Sequence, residues 1–313
     1  MSAVLGKYWS DLAPRKIPHR GPLDDAGIPL SYLRCHRPGA PPIYHPGAIL
    51  LYTLANYDLA LSGEASAEER FMRCARWVEA NAVEEPGQRF LIWLHDFPLR
   101  TPPVQPPWIS GMAQGEALSV LARSFLRTRS SRTADIAQRA ARAFLHTVSE
   151  GGVIVRASDD RCFIEEVAHP SAIHILNGCL TGVFGLYEYL RVFPDPPLQA
   201  VLEACLQGVE NWLPAFDTGY WSRYSLGIRW NVADVRYHGV HIRQLSYLGN
   251  LLDRPALIRR ASAWQGYERS RRSRSLQRLA WSLQLQSNRA MTILRLSRLK
   301  YRAVALISML ALW

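Results

Sequence analysis

Four pairs of predicted helices, separated by long loops, recur along this 313-residue chain. The first helices begin near residues 48, 112, 173 and 238, and this spacing of about 60–65 residues is longer than that of a typical solenoid repeat. A helical hairpin has to bury its apolar face against another element, and a ring of hairpins buries every such face. We therefore predict an all-α fold, an (α/α) toroid or incomplete barrel of about four helical hairpins with long rim loops and a minor β-hairpin. An open superhelix is the structural alternative.

The apolar periodicity predicts helices over residues 48–61, 66–81, 112–127, 133–149, 173–192, 198–212, 238–252 and 255–267. Residues 83–110 are rich in proline and are predicted to form a loop, and residues 153–166 are predicted to form a loop or hairpin. This pattern divides the chain into an irregular segment over 1–47 that packs on the toroid, a helical domain over 48–268, and a tail over 269–313.

The positive charge belongs to the tail rather than to the body. The whole chain has a net charge of +11, but residues 269–313 contain nine Arg, one Lys and no acidic residue. Removing these ten from the 37 basic residues leaves 27, against 26 acidic residues. A nearly neutral body is not the electrostatic footprint of a nucleic-acid-binding domain, so no nucleic-acid partner is predicted.

Cysteine usage and the absence of an apolar leader favour a reducing, cytoplasmic location, with the alternative of peripheral attachment at an inner membrane. The five cysteines are scattered and form no CxxC motif, which argues against a disulfide framework and a zinc knuckle. The first residues have no signal-peptide pattern, and no stretch of about 18 apolar residues is present. No metal and no cofactor are predicted.

The loops between the helices carry four unusual strings of aromatic, acidic and histidine residues. They are residues 106–116 (PPWISGMAQGE), 163–166 (FIEE) continuing to 176–178 (LNG), 216–226 (FDTGYWSRYSL) and 237–245 (YHGVHIRQL). In their order and spacing these strings resemble the C-terminal catalytic domain of the D-glucuronyl C5-epimerase family, in a short bacterial form. Residues 24–30 and 44–46 also look like that family, and the resemblance covers about residues 20–268.

The resemblance implies that the domain over 48–268 is catalytic and that its partner is an acidic polysaccharide. Epimerisation at C5 of a hexuronate removes a proton next to a carboxylate and returns one on the other face, which needs a base and an acid on opposite sides of the sugar. We predict Glu166 as the base, because two adjacent acids in a loop raise one pKa. By resemblance, Tyr224 and Tyr237 are the candidate acids. An exposed acidic pair and packed, hydrogen-bonded phenols are the structural alternatives.

A second set of residues is predicted to bind the substrate: Trp108, Gln114, Glu165, Asn177, Arg229 and His241. Structural alternatives stand beside several of them. Trp108 is a stacking platform or a core ring, and Gln114 and Asn177 contact sugar or cap a helix. His238 and His241 form an HxxH motif that has no evident third metal ligand, so packing or the orientation of Tyr237 is favoured over metal binding.

Two positions depart from the family pattern and keep other functions open. Val167 stands where the family has a tyrosine credited with catalysis, and His169 is a candidate replacement. Gly227 stands where the family has a basic residue, with Arg229 close by. A catalytically altered protein that binds or assembles uronate polysaccharide is therefore one alternative, and a polysaccharide lyase that begins with the same proton abstraction is another.

The tail is predicted to be a basic amphipathic element. Leu276, Leu279 and Leu283, and later Ile293 to Leu299, recur at helical spacing among the arginines. Such a helix binds a membrane surface or a protein partner, packs back on the body, or is attracted to the acidic polymer. A homodimer is a further possibility.

Overall fold

Helical hairpins follow one another through the computed structural model, which describes residues 5–9, 21–33, 39–87, 89–100, 103–227 and 231–286. The helices are α1 (Pro46–Leu61), α2 (Ala67–Ala80), α3 (Gly111–Thr128), α4 (Ser131–Ala141), α5 (Leu176–Val192), α6 (Pro196–Phe216), α7 (Val235–Leu251) and α8 (Pro255–Arg269), followed by α9 over residues 271–286. The described residues confirm the all-α prediction. The domain boundaries at residues 47 and 268 stay predictions.

Helix starts coincide with side chains that accept a hydrogen bond from the first turn. Ser110, Ser130, Asp195 and Asp234 cap α3, α4, α6 and α7 in this way. These caps satisfy backbone N–H groups that have no partner within the helix, so the boundaries lie close to those that the sequence predicts.

The fourth predicted helix is shorter than expected. An α-helix over 133–149 is predicted, but α4 ends at Ala141 and two short 3₁₀ turns follow, Arg142–Leu145 and Val148–Glu150. The chain then doubles back, and the N–H groups of Val153 and Ile154 donate to the carbonyls of Ala143 and His146 at 3.4 and 3.2 Å. These bonds use carbonyl groups that a longer helix would have paired within itself.

The first helices of the four hairpins form a row. α1 packs on α3, α3 on α5 and α5 on α7, while α2, α4, α6 and α8 pack on their own hairpin partners. The closest approach is that of α3 and α5, where a Cβ atom on Gly115 would lie 2.7 Å from the Cα atom of Gly182. Glycine at both positions therefore allows the two backbones to touch. Closure of the row into a toroid stays a prediction.

Short antiparallel strand pairs occupy the loops. β1 (Val83–Glu84) pairs with β2 (Leu91–Ile92), β3 (Leu94–His95) with β6 (Trp108–Ile109), β4 (Leu99–Arg100) with β5 (Pro103–Val104), and β7 (Ile154–Arg156) with β8 (Cys162–Ile164). The last pair is the predicted hairpin. The other three correct the prediction that residues 83–110 form a plain loop, because strands of two residues are too short to show a periodicity in sequence.

The N-terminal residues 5–9 pack on the row of first helices. Arg123 of α3 donates to the carbonyl oxygen of Gly6 at 3.1 Å, and the ring of Trp9 stacks on Phe184 of α5 with centroids 4.9 Å apart. At the other end of the described chain, α9 contacts the loop before α7 through Gln284. Among the described residues, no helix has both the length and the apolar character that crossing a bilayer requires.

Candidate active site

The segment after β8 lies beside β6 and the start of α3. The N–H of Gly111 donates to the carbonyl oxygen of Glu165 at 3.0 Å, and the N–H of Ala168 donates to that of Ile109 at 3.0 Å. Main-chain bonds on both sides therefore fix the direction in which Glu165 and Glu166 leave the hairpin. Alternate side chains of an extended segment point to opposite sides, so the two adjacent acids have different surroundings.

Glu165 lies in the interior, where its carboxylate is hydrogen-bonded to other groups of the chain. Its side chain is fully buried, and its carboxylate accepts the N–H groups of Ile173 and His174 at 3.1–3.3 Å and contacts the His174 ring nitrogen Nδ1. These bonds hold the loop that leads into α5. Glu165 thus has a positioning role here, whereas a direct substrate contact was expected from the sequence.

Glu166 is partly accessible and has a single amide donor. Asn177 donates its Nδ2–H to the Glu166 Oε2 at 3.2 Å, and Gly178 lies against the Glu166 side chain, where a Cβ atom would overlap it. Burial raises the pKa of Glu166 to about 7, with the neighbouring Glu165 adding to the rise and the Asn177 bond opposing it. This carboxylate is half ionised near neutral pH, as a general base should be.

Tyr224 and Tyr237 meet at the same place from two different elements. The N–H of Tyr224 donates to Asn231 at 2.7 Å, and Tyr237 lies in the first turn of α7, where its N–H donates to the capping Asp234 at 2.7 Å. The two rings are 4.7 Å apart at 65°, an edge-to-face contact. Burial raises the pKa of both phenols, with the charge of Glu166 as the next cause in each case.

One carboxyl group and two phenols interact electrostatically in this region. The charge of Glu166 raises the pKa of Tyr224 and of Tyr237, so all three groups lie within electrostatic reach of one another. At neutral pH the phenols hold their protons while the carboxyl group exchanges its own. The arrangement thus contains a base of suitable pKa and two proton donors.

Glu116 is a candidate that the motifs did not single out. It lies on α3, is 2% exposed, and its Oε2 has no hydrogen-bond partner among the described residues. Burial, followed by the charge of Glu166, raises the pKa of Glu116 well above the usual value. This buried carboxyl group therefore lies within electrostatic reach of Glu166. Its position two residues after Gln114, in the first loop string, was the available signal.

Asn177 serves the site rather than the end of its helix. It is the second residue of α5, and the capping position, Ile175, has no capping side chain. Its Nδ2 is bound to Glu166, while its Oδ1 is buried without a partner among the described residues. This atom is an unsatisfied acceptor beside the carboxyl group.

Trp108 and Val167 belong to a small apolar cluster on which Tyr224 packs. The cluster consists of Phe97, Val104, Trp108, Val167, Ile173 and Ile175, and Tyr224 packs against it. Trp108 is 8% exposed and donates its Nε1–H to the carbonyl oxygen of Phe97 at 2.8 Å. Its edge and His169 line an open cavity of about 490 Å³. Val167, at the position where the resemblance leads us to expect a tyrosine, is buried in this cluster.

Gln114 and His241 lie inside the protein and not at the site. Gln114 is 1% exposed and its Nε2 donates to the carbonyl oxygens of Leu91 and Ala140 at 2.7 and 2.9 Å. His241 is fully buried and its Nδ1 is 3.0 Å from Ser222 Oγ. Both side chains are hydrogen-bonded to other elements of the fold, whereas substrate contact was expected from the sequence.

His238 fastens the loop that carries Tyr224. The N–H of Ser222 donates to Nδ1 of His238 at 3.2 Å, so Nε2 carries the proton and donates to the carbonyl oxygen of Trp264 at 3.2 Å. Burial lowers the pKa of His238 to about 4 and that of His241 to about 3, with the charge of His238 as a further cause for His241. Neutral histidines in these contacts have a structural role, as the packing interpretation of HxxH predicts.

The cationic residues near the site differ from the family pattern. Arg229 lies outside the described residues. Gly227 packs so closely on the segment before α5 that a Cβ atom would lie 2.7 Å from Ile173 Cα. Arg236 has its guanidinium carbon 5.6 Å from the centroid of the Tyr237 ring and is a cation at the site that the motifs did not indicate. Across the described residues, no group of three or more His, Cys, Asp or Glu side chains is arranged to hold a metal ion.

Comparison with known proteins gives a family match over this region. A family model described as the D-glucuronyl C5-epimerase C-terminus matches residues 92–266, which is more than half of the chain. The chain is 28% identical over 186 residues to the D-glucuronyl C5-epimerase of Caenorhabditis elegans, covering 54% of this chain and 30% of that protein. It is 24% identical over 176 residues to the uncharacterized protein MJ1128 of Methanocaldococcus jannaschii, covering 55% and 56%. The alignments therefore span less than two thirds of either relative.

Proposed function

This chain belongs to the family of the D-glucuronyl C5-epimerase C-terminus, and on that premise we propose that it epimerises hexuronate units at C5 in an acidic polysaccharide. The conversion is of the D-glucuronate to L-iduronate type. The observation that carries the proposal is the meeting of Glu166, Tyr224 and Tyr237, which supplies a base of pKa about 7 and two protonated phenols.

In the proposed reaction, the Glu166 carboxylate removes the proton from C5 and the electron pair moves into the adjacent sugar carboxylate as an enediolate. A phenol, Tyr224 or Tyr237, returns a proton to C5 from the opposite face. Before the next turnover Glu166 releases to solvent the proton that it took, and the phenolate takes one up from solvent. The two partners come from opposite sides of the sugar because inversion requires it. Their raised pKa values keep the phenols protonated for this step.

The enediolate needs donors or a cation around the sugar carboxylate. Arg236, beside the Tyr237 ring, is the residue that we assign to this charge. Asn177 keeps Glu166 oriented and leaves its Oδ1 as an acceptor for a sugar hydroxyl. With valine at position 167, the return of the proton falls to the two remaining tyrosines, while Trp108 and His169 border a neighbouring part of the polymer-binding surface.

The surrounding fold is proposed to be an incomplete (α/α) toroid. α1, α3, α5 and α7 pack on one another in this order, and a ring of this kind would bring the starts of these helices, with the loops before them, to one end. Residues at or just before the starts of α3, α5 and α7 meet at the candidate site. A ring of hairpins would bring its rim loops together in the same way.

The test is isotope exchange in heavy water. The protein is incubated with glucuronate-containing polymers and deuterium at C5 is measured by NMR. Wild type is expected to incorporate deuterium, while Glu166→Gln and Tyr224→Phe lose at least about 100-fold in rate. Tyr247→Phe is the matched control, because Tyr247 is 42% exposed on the far part of α7.

Two outcomes separate the alternatives. Polymer binding without C5 exchange on any tested polymer would overturn the epimerase and favour a binding or assembly protein. Absorbance from an unsaturated uronate would show elimination at C4 and thus a lyase. Exchange that persists unchanged in Glu166→Gln would remove Glu166 from the proposed mechanism.

A further inference from the structure

The helix α9 is attached to the body along one side only. Its N-terminus is capped by Ser270, whose Oγ accepts the N–H of Ser273 at 3.2 Å. Gln277 is 5% exposed, and Gln284 accepts the N–H of Val232 at 2.9 Å and donates to Asn231 at 3.3 Å. This side has enough contacts to hold α9 in one orientation on the loop before α7.

A second side of α9 carries exposed leucines. Leu276, Leu279 and Leu283 are 38%, 59% and 57% exposed, although leucine is usually buried. Their spacing of three and four residues places them in one stripe along the helix. A row of leucines presented to solvent on a docked helix indicates an apolar surface that covers it.

Arginines share the exposed surface of α9 with the leucine stripe. Arg272 lies one turn before Leu276 on the same side, the exposed Arg271 and Arg278 lie on the flank of the helix more than a quarter turn from the stripe, and Arg274 lies on the side opposite to it. The sequence from residue 269 to 313 contains no Asp or Glu, so no acidic side chain of the tail offsets these charges. The exposed surface of α9 is thus apolar along one side and cationic along the other.

We propose that this face of α9 docks on an anionic lipid surface, with the helix axis parallel to the membrane plane. Leucines enter the boundary between headgroups and acyl chains, while arginines pair with anionic headgroups. A soluble polyanion, whether nucleic acid or polysaccharide, satisfies the arginines but gives the leucine stripe nothing to bury against. The apolar stripe therefore selects a lipid surface.

Docking in this orientation sets the position of the candidate site. Gln284 touches Asn231, and the carbonyl oxygen of Asn231 accepts the N–H of Tyr224 at 2.7 Å. The loop of Tyr224 therefore lies next to the helix that contacts lipid. A polymer reaching the site arrives beside the membrane surface.

The test is co-sedimentation of the full chain with vesicles. Vesicles of phosphatidylcholine alone are compared with vesicles that contain about one third phosphatidylglycerol. Wild type is expected to sediment with the anionic vesicles and to be released as salt rises. The double variant Leu279→Gln/Leu283→Gln is expected to bind at least about tenfold more weakly, because two leucines that enter the lipid surface on binding are lost.

The matched control is Leu23→Gln/Leu61→Gln, which replaces two leucines of 47% and 43% exposure elsewhere. It is expected to bind as wild type does. Equal binding to both vesicle types, no binding by wild type, or unaltered binding by the α9 double variant would each overturn the proposal. Binding to soluble heparin by wild type and α9 variant alike, without vesicle binding, would instead assign α9 to a soluble polyanion.

Discussion

The raised pKa of Glu166 makes its carboxylate a stronger base and lowers the folding stability at neutral and alkaline pH. Burial raises its pKa to about 7, far above the usual value near 4.3 for a glutamate in an unfolded chain. Between these two pH values the unfolded chain loses the proton while the folded chain keeps it. Folding stability from this group is therefore complete below about pH 4.3, falls as pH rises, and levels off above about pH 7.

Replacing Glu166 with glutamine should remove this cost. Glu166→Gln is expected to raise the free energy of unfolding by about 2 kcal/mol at pH 8 and to leave it nearly unchanged at pH 4. Urea unfolding at the two pH values measures the difference. Glu69→Gln on the exposed part of α2 is the control, with changes below about 0.5 kcal/mol at either pH. A destabilised Glu166→Gln at pH 8 contradicts the raised pKa.

Asn177 limits how far the pKa of Glu166 rises. Because its Nδ2–H binds the carboxylate at 3.2 Å, Asn177→Ala is expected to raise the pKa of Glu166 by about one unit. Carbon-13 NMR titration of labelled glutamate measures this shift, and the pH dependence of C5 exchange should move to higher pH with it. Asn250→Ala, whose amide donates only to its own helix, should leave both unchanged. A lowered pKa in Asn177→Ala would refute the assignment.

Sequence motifs predicted which residues come together better than they predicted which side chains are buried. Glu166, Tyr224 and Tyr237 were predicted and lie together. Gln114 and His241 were expected to touch substrate but are buried against the chain itself. A sequence shows that a polar residue is present, but not whether its side chain points into a cleft or into the core. That direction depends on tertiary packing.

At the scale of elements, α3 and α5 cross closely, and each carries a polar residue near Glu166. α3 carries Glu116 and α5 carries Asn177, and the two backbones touch at Gly115 and Gly182. Periodicity predicted both helices to within a few residues, because their apolar positions recur at 3.6. It could not predict the close crossing, which depends on two glycines that are 67 residues apart.

Enlarging one of these glycines should separate the helices. Gly182→Ala is expected to lower the free energy of unfolding by about 2 kcal/mol, because its Cβ would lie 2.8 Å from the Ile164 side chain and the α3–α5 contact leaves no room for relaxation. Chemical denaturation provides the measurement. Gly266→Ala in α8 is the matched control, since a Cβ there meets nothing within 4 Å, and it should stabilise by up to about 1 kcal/mol. Equal effects at the two positions would show that the crossing is not tight.

At the scale of the whole molecule, one arginine ties distant parts of the chain together. Arg123 of α3 is fully buried, pairs with Glu188 of α5 at 2.5 and 2.7 Å, and donates to Gly6 of the N-terminal residues. Its guanidinium carbon also lies 5.1 Å from the centroid of the Tyr57 ring of α1. Three helix hairpins and the N-terminal segment thus meet at the Arg123 guanidinium. The sequence pattern predicts only that Arg123 lies in a helix and does not distinguish it from exposed arginines.

Removing this cation should loosen the molecule as a whole. Arg123→Ala leaves Glu188 without its partner in a largely buried place, so the free energy of unfolding is expected to fall by about 3–5 kcal/mol. Hydrogen exchange should also speed up at the Tyr8 N–H, which donates to Asp58 at 2.8 Å, because the N-terminal residues lose their bond to α3. Arg161→Ala, which breaks a surface pair with Asp159, is the control and should cost less than about 1 kcal/mol. The candidate site is built on α5 and α7, and the Arg123–Glu188 pair holds α5 to α3. A stable Arg123→Ala protein with unchanged hydrogen exchange at the Tyr8 N–H would therefore mean that the glycine contacts alone hold the row of helices together.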